Sequence, residues 1–149
     1  MGDHKFLLHL KKDHKEQENL AKKLIEAKSS KDRNTLRQQF YNALYPHMVG
    51  EEASIFQLLT KAEDEDVRDD GFESLQEHHV GKFLLQELME LDTQSEVFKA
   101  KAKVLDELNR HHIKEEEKDI FGHLKKLCDD NQMDNLFEKY EKAEEGAKE

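Results

Sequence analysis

The sequence predicts an all-α protein: an up-down-up-down four-helix bundle with a short C-terminal fifth helix. Three observations carry this. The 149 residues hold one proline and six glycines, with 39% charged and 36% apolar residues, a composition suited to long helices rather than to a β chain of many turns. Four long stretches repeat apolar residues every three or four positions. The breaks between them are brief: Ser29-Ser30, the acidic run Glu63 to Gly71, Asp92-Thr93 and Asp129-Asp130-Asn131. Short connections make neighbouring helices antiparallel. The length suits one domain over residues 1–149, with the bundle at about 3–128 and a helix and tail at 129–149.

The first helix is expected from about Asp3 to Lys28, with the stripe Phe6, Leu10, His14, Gln17, Ala21, Leu24. The second is expected from about Asp32 to Ala62, with Asp32 as N-cap and the stripe Phe40, Leu44, His47, Glu51, Ile55, Leu58. Pro46 inside it removes a helical hydrogen bond and should kink it, and Gly50 adds local freedom. The third is expected from about Val67 to Leu91, with Leu75, His78, Leu85 and Leu88 inward. The fourth is expected from about Thr93 to Cys128, opening on a capping box of Thr93 and Glu96 and carrying Leu105, Leu108, His112, Glu116, Ile120 and Leu124. The fifth should cover Met133 to Lys142, with a fraying tail beyond.

Every bundle stripe is thus interrupted once by a histidine, and twice a glutamate follows one turn later. The interruptions are repeat-related. His47-Met-Val-Gly-Glu51-Glu52-Ala-Ser-Ile55-Phe56 aligns without a gap on His112-Ile-Lys-Glu-Glu116-Glu117-Lys-Asp-Ile120-Phe121, and Asp13-His14 with Leu20 and Leu24 aligns on Glu77-His78 with Leu84 and Leu88. The chain reads as one helical hairpin duplicated. Burying imidazoles and carboxylates in a bundle core is costly unless they are paired or bind metal, and four helices delivering such groups at one level is the arrangement of a bundle-core metal site. Residues one turn apart face the same way, so two His-x-x-x-Glu pairs with His14 and His78 offer four imidazoles and two carboxylates to one cluster. Carboxylate bridges favour iron or manganese, and zinc tolerates the same donors.

The remaining composition narrows the classes. Against 24 basic residues stand 34 acidic ones, a net charge of −10, which disfavours nucleic acid as partner. No apolar run approaches a membrane span, and the N-terminus is too charged for a signal peptide. The lone Cys128 excludes an internal disulfide and points to a reducing, cytoplasmic compartment. The absence of a thiolate set argues against a structural zinc finger.

These segments resemble the hemerythrin-like HHE cation-binding domain over roughly Lys12 to Leu127. The resemblance rests on Asp-His14, His47-x-x-x-Glu51-Glu-x-x-Ile-Phe, Glu-His78-His-x-x-x-x-Leu-Leu-x-x-Leu and His112-x-x-x-Glu116-Glu-x-x-Ile-Phe. It implies a non-haem di-iron centre, oxo- or hydroxo-bridged, with His14, His47, His78 and His112 as terminal ligands and Glu51 and Glu116 as bridges. Zinc or manganese are the lesser substitutes. Oxygen-carrying hemerythrins have a fifth histidine where this chain has Lys82. Their last bridge is an aspartate at the position of Glu117, and Glu116 is preferred here because it mirrors Glu51. His79 is an alternative to His78, and His111 to His112.

Glu18 and Lys82, each one turn beyond a ligand histidine, are expected to border the metal pocket, Lys82 facing the open position and Glu18 offsetting its charge. His4, His9 and His123 read as solvated, Tyr41 and Tyr45 as packing residues, and Cys128 as an inert small side chain. The implied function is binding or sensing of a diatomic ligand or peroxide (oxygen, nitric oxide or hydrogen peroxide) by a monomer or weak oligomer. The alternatives are a di-iron enzyme acting on peroxide or nitric oxide, an iron storage or repair protein, and a helical interaction module with incidental histidines.

Overall fold

The computed structural model describes residues 2–148, and among these every regular element is helical. Helix α1 spans Lys5–Glu26, α2 Ser30–Ala53, α3 Ile55–Leu59, α4 Glu65–Glu90, α5 Phe98–Glu115, α6 Phe121–Leu127 and α7 Asp130–Ala147. One π-helical turn, Glu116–Ile120, joins α5 to α6. The bundle closes as α1 against α2, α2 against α4, α4 against α5 and α5 against α1, so α1 and α4 lie diagonally across it. Helix α7 packs along α2 and touches α1. No described helix is long and apolar enough to cross a membrane.

The expected four-helix bundle is present, and the differences lie at element ends. Ser29, not Asp32, caps α2: its hydroxyl accepts from Asp32 N–H at 3.1 Å. Thr93 opens no helix. Its hydroxyl donates to Ser30 Oγ, while Asp92 and Ser95 accept from Gln94 N–H and Val97 N–H, and α5 begins only at Phe98. Short polar side chains at 92–95 thus offer the backbone an alternative to the helix. Beyond the expected end at Lys142, α7 continues to Ala147, so the tail expected to fray is helical. Asp129 and Gln132 form its capping box, and Tyr140 ties it to α1 and α2.

The second and fourth helices were expected unbroken, yet both break just after their glutamate. Helix α2 passes through Pro46 and ends instead at Ser54, whose hydroxyl donates to Gly50 C=O at 2.7 Å. The π turn is its counterpart in the second repeat. The reason is periodicity. His47, Glu51 and Ile55, like His112, Glu116 and Ile120, are spaced by four, and each such step overshoots a full α-turn by about 40°. A local unwinding restores the inward direction, and π turns concentrate where function demands it.

Two apolar clusters fill the bundle. One is built on Phe6, Leu10, Ile55, Phe56, Leu59, Phe121 and Tyr140, the other on Leu24, Phe40, Leu44, Leu85, Phe98 and Leu105. The buried polar residues His14, Gln17, His47, Glu51, His78, His112 and Glu116 lie between them. Gln17 is satisfied, donating to Ala43 C=O and accepting from Asn109. Gly50 serves a close approach rather than flexibility: a Cβ there would sit 2.6 Å from two ring carbons of Tyr140.

Gly50→Val should therefore destabilise the fold by about 2 kcal/mol or more through overpacking. Gly122→Ala, where a Cβ meets nothing within 4 Å, should gain up to about 1 kcal/mol from helix propensity. Thermal or denaturant melts of the two variants check the contrast, and equal stabilities would contradict it.

Candidate metal centre

Five helical segments bring six side chains to the mid-bundle layer, and all six are at least 94% buried: His14 from α1, His47 and Glu51 from α2, His78 from α4, His112 from α5 and Glu116 from the π turn. Their donor atoms fall into two groups. His14, His47, Glu51 and Glu116 present one atom each within 4.8 Å of one another, and Glu51, His78 and His112 do the same. Glu51 belongs to both. Its Oε1 lies 3.2 Å from His47 Nε2 and 3.3 Å from His78 Nε2. Glu116 Oε2 lies 3.2 Å from His14 Nε2 and 3.5 Å from His112 Nε2, and the Nε2 atoms of His78 and His112 are 3.1 Å apart.

The Nε2 atoms point inward because every Nδ1 is engaged outward. His14 Nδ1 meets Glu117 Oε2 at 2.7 Å, His47 Nδ1 meets Asp13 Oδ2 at 3.1 Å, His78 Nδ1 meets Glu52 Oε2 at 3.0 Å, and His112 Nδ1 meets Glu77 Oε1 at 2.8 Å. Each of these carboxylates neighbours a different site residue in sequence: Asp13 precedes His14, Glu52 follows Glu51, Glu77 precedes His78 and Glu117 follows Glu116. A carboxylate on Nδ1 fixes the ring and raises the basicity of Nε2, the usual companion of a metal-ligating histidine. The sequence reading missed these four roles, although the repeat displays the same carboxylates at matched positions. It also missed Tyr140. The Tyr140 hydroxyl, wholly buried, lies 2.8 Å from Asp13 Oδ2 and 2.9 Å from both His47 Nδ1 and Glu144 Oε2.

The inward atoms want a cation. Both oxygens of Glu51, both of Glu116 and Nε2 of His14 are buried without a hydrogen-bond partner, and unpaired buried charge costs several kcal/mol. Two carboxylates and four imidazole nitrogens converging on one dry layer fit metal ions. Without metal the layer holds protons instead. Burial opposes protonation of His14, yet Glu116 and Glu117 hold its pKa up to about 9. Burial likewise opposes a charge on His47, but Glu51 and Asp13 push its pKa well up, and His78 follows toward Glu51 and Glu52. Burial and the charge of Glu51 together push Glu116 up.

The alternatives left open in the sequence face elsewhere. His79 is exposed, while His78 is buried. The His111 side chain is 60% exposed and pairs with Glu115. Glu117 sits behind His14 rather than in the layer. The expected Glu18–Lys82 pair does not form, because α1 and α4 are diagonal. Glu18 pairs with Arg110 at 2.6 Å, and Lys82 turns to Glu52 at 2.8 Å, reaching the site only through the carboxylate that holds His78. Of the histidines read as solvated, His4 caps α1 and meets Asp134, and His123 meets Asp70. Tyr41 and Tyr45 stack on each other, as packing residues should.

A model of the hemerythrin HHE cation binding domain matches residues 6–124. No curated protein and no solved structure matches the chain.

Asp13→Asn and Glu77→Gln should each weaken metal affinity about 10–100-fold, and Glu18→Gln should leave it near wild type. Competition with a chromophoric chelator reads this, and equal affinities would contradict the outer carboxylate set. Since His14 carries a proton at neutral pH in the metal-free chain, metal must displace it. Apparent affinity should then rise from pH 6 to 8 with net proton release, measured by titration calorimetry in buffers of different ionisation enthalpy.

Proposed function

Since the chain belongs to the hemerythrin HHE cation binding domain family, we propose that it holds two iron ions side by side and uses them to bind or sense a small ligand: oxygen, nitric oxide or peroxide. The observation that carries the reading is the sharing of Glu51 between two groups that each contain two histidines. A carboxylate common to two nitrogen-rich positions suits a bridged pair, and Glu116, within 3.5 Å of a histidine from each group, suits a second bridge. In this reading His14 and His47 hold one ion, and His78 and His112 the other. An all imidazole-carboxylate donor set favours iron over thiolate-loving metals, with zinc and manganese as lesser substitutes.

Bound iron would supply redox chemistry and an open coordination position. The chain's own residues do the rest. Asp13, Glu52, Glu77 and Glu117 orient the four rings. Phe56 lies edge-on to His78 at 4.9 Å between ring centroids, and Phe121 lies 6.4 Å from His14, so apolar side chains keep water from the layer. A dry site with little room suits ligands of two to four atoms better than an organic substrate. The one cysteine, Cys128, is free, in keeping with a reducing, cytoplasmic setting. A monomer or weak oligomer suffices, because one chain supplies every proposed ligand.

Protein produced with iron supplied and without chelator should contain about two irons per chain and show visible charge-transfer absorption. His47→Ala and His112→Ala should lose iron, and His123→Ala should keep it. No stoichiometric transition metal in the wild-type chain, or equal retention in all three variants, would overturn the proposal.

A further inference from the structure

His9 reads as a solvated residue in the sequence, but the fold encloses its working edge. The side chain is 34% exposed, yet Nε2 is buried and has no hydrogen-bond partner among the described residues. The ring is held by Phe137 at 5.2 Å and by Tyr140 at 5.8 Å between centroids. One nitrogen of His9, one oxygen of Asp13 and one of Glu144 lie within 4.8 Å of one another. His9 Nε2 is 3.5 Å from Asp13 Oδ2, longer than a good hydrogen bond. His9 and Asp13 are one turn apart on α1 and so face the same way, while Glu144 comes from α7.

The cluster is also short of positive charge. The Tyr140 hydroxyl has one proton to give, but it lies 2.8 Å from Asp13 Oδ2 and 2.9 Å from Glu144 Oε2. A proton on His47 Nδ1 must serve the contacts at 2.9 Å to Tyr140 and 3.1 Å to Asp13. Two donor protons thus serve four close contacts, and oxygen lone pairs are left facing one another. Lys148 does not relieve this. It is exposed, and its Nζ lies 3.9 Å from the other oxygen of Glu144, a surface pairing of little weight.

We propose that His9, Asp13 and Glu144 form a cation site separate from the mid-bundle layer, bridging α1 to α7 and taking one divalent ion of the zinc or ferrous kind. An imidazole with two carboxylates suits such an ion better than magnesium or calcium, which prefer oxygen alone. The spacing suits it too. Ligands about 2.1 Å from a tetrahedral zinc lie about 3.4 Å apart, close to the 3.5 Å between His9 Nε2 and Asp13 Oδ2. Water can complete the coordination, because the side chains of Asp13 and Glu144 each keep 18% exposure. The ion supplies the charge that the two carboxylates lack and the partner that His9 Nε2 lacks. Asp13 also holds His47, so the site lies directly behind the mid-bundle layer.

The test is calorimetric zinc titration of the full chain, wild type against His9→Ala and Glu144→Gln, together with diffraction from zinc-soaked crystals on either side of the zinc absorption edge. Wild type should take up about one more zinc equivalent per chain than either variant. An anomalous peak should lie between His9, Asp13 and Glu144 in wild type and vanish in both variants. Should His9→Ala fail to fold, Glu144→Gln, which keeps the shape of the side chain, decides alone. Equal zinc uptake by wild type and variants, or no peak at this place, would overturn the proposal. The peak is assigned by position and the uptake by difference. Neither outcome therefore depends on how many ions the mid-bundle layer holds, and failure here would leave the two-iron reading intact.

Discussion

Six ionisable side chains are buried in one layer between two apolar clusters, and the rest of the structure answers to that placement. Two carboxylates with no hydrogen-bond partner cannot remain charged and dry without a cation beside them. In the metal-free chain protons on His14 and His47 fill that role, drawn there by Glu116 and Glu51 against the resistance of burial. A metal ion concentrates more charge at the same point and meets the lone pairs directly. On the proposed metal reading, the layer links folding to metal occupancy, since bound cations would hold together polar groups that are costly to bury alone.

The outer carboxylates extend the same logic by one step. Each histidine is held at Nδ1 by a residue that adjoins a ligand candidate on another helix, so Asp13 serves His47 while Glu117 serves His14. The pattern is cyclic around α1, α2, α4 and α5. A shift of any one helix would move its inward groups and its orienting carboxylate together. Tyr140 adds α7 to this ring through Asp13 and His47, which explains why the C-terminal helix is ordered along α2 and why Gly50 has no side chain where the Tyr140 ring passes.

Much of this was legible in the sequence. The apolar stripes, the single histidine in each, and the register of His47 with His112 and of His14 with His78 foretold the four-helix bundle and the residues that meet at its middle. The outer carboxylates escaped because consecutive helical residues point about 100° apart. Glu52 lies off the inward stripe that carries Glu51 and meets the outer Nδ1 of His78, so its partner becomes visible only once the helices are assembled. The Glu18–Lys82 pairing failed for the same reason, since repeat symmetry relates the two residues but places them on diagonal helices. Thr93 misled because a capping pattern also suits a turn, and the breaks at Ser54 and at the π turn follow from a four-residue spacing that a straight α-helix cannot sustain.

The central claim is that Glu51 stands between two metal positions. Anomalous diffraction from crystals of the iron-loaded protein, collected on either side of the iron absorption edge, tests it most directly. The account predicts two iron peaks about 3.5–4 Å apart, one beside His14 and His47 and the other beside His78 and His112, with the Glu51 carboxylate reaching both. A single peak, or iron bound away from this layer, would contradict it.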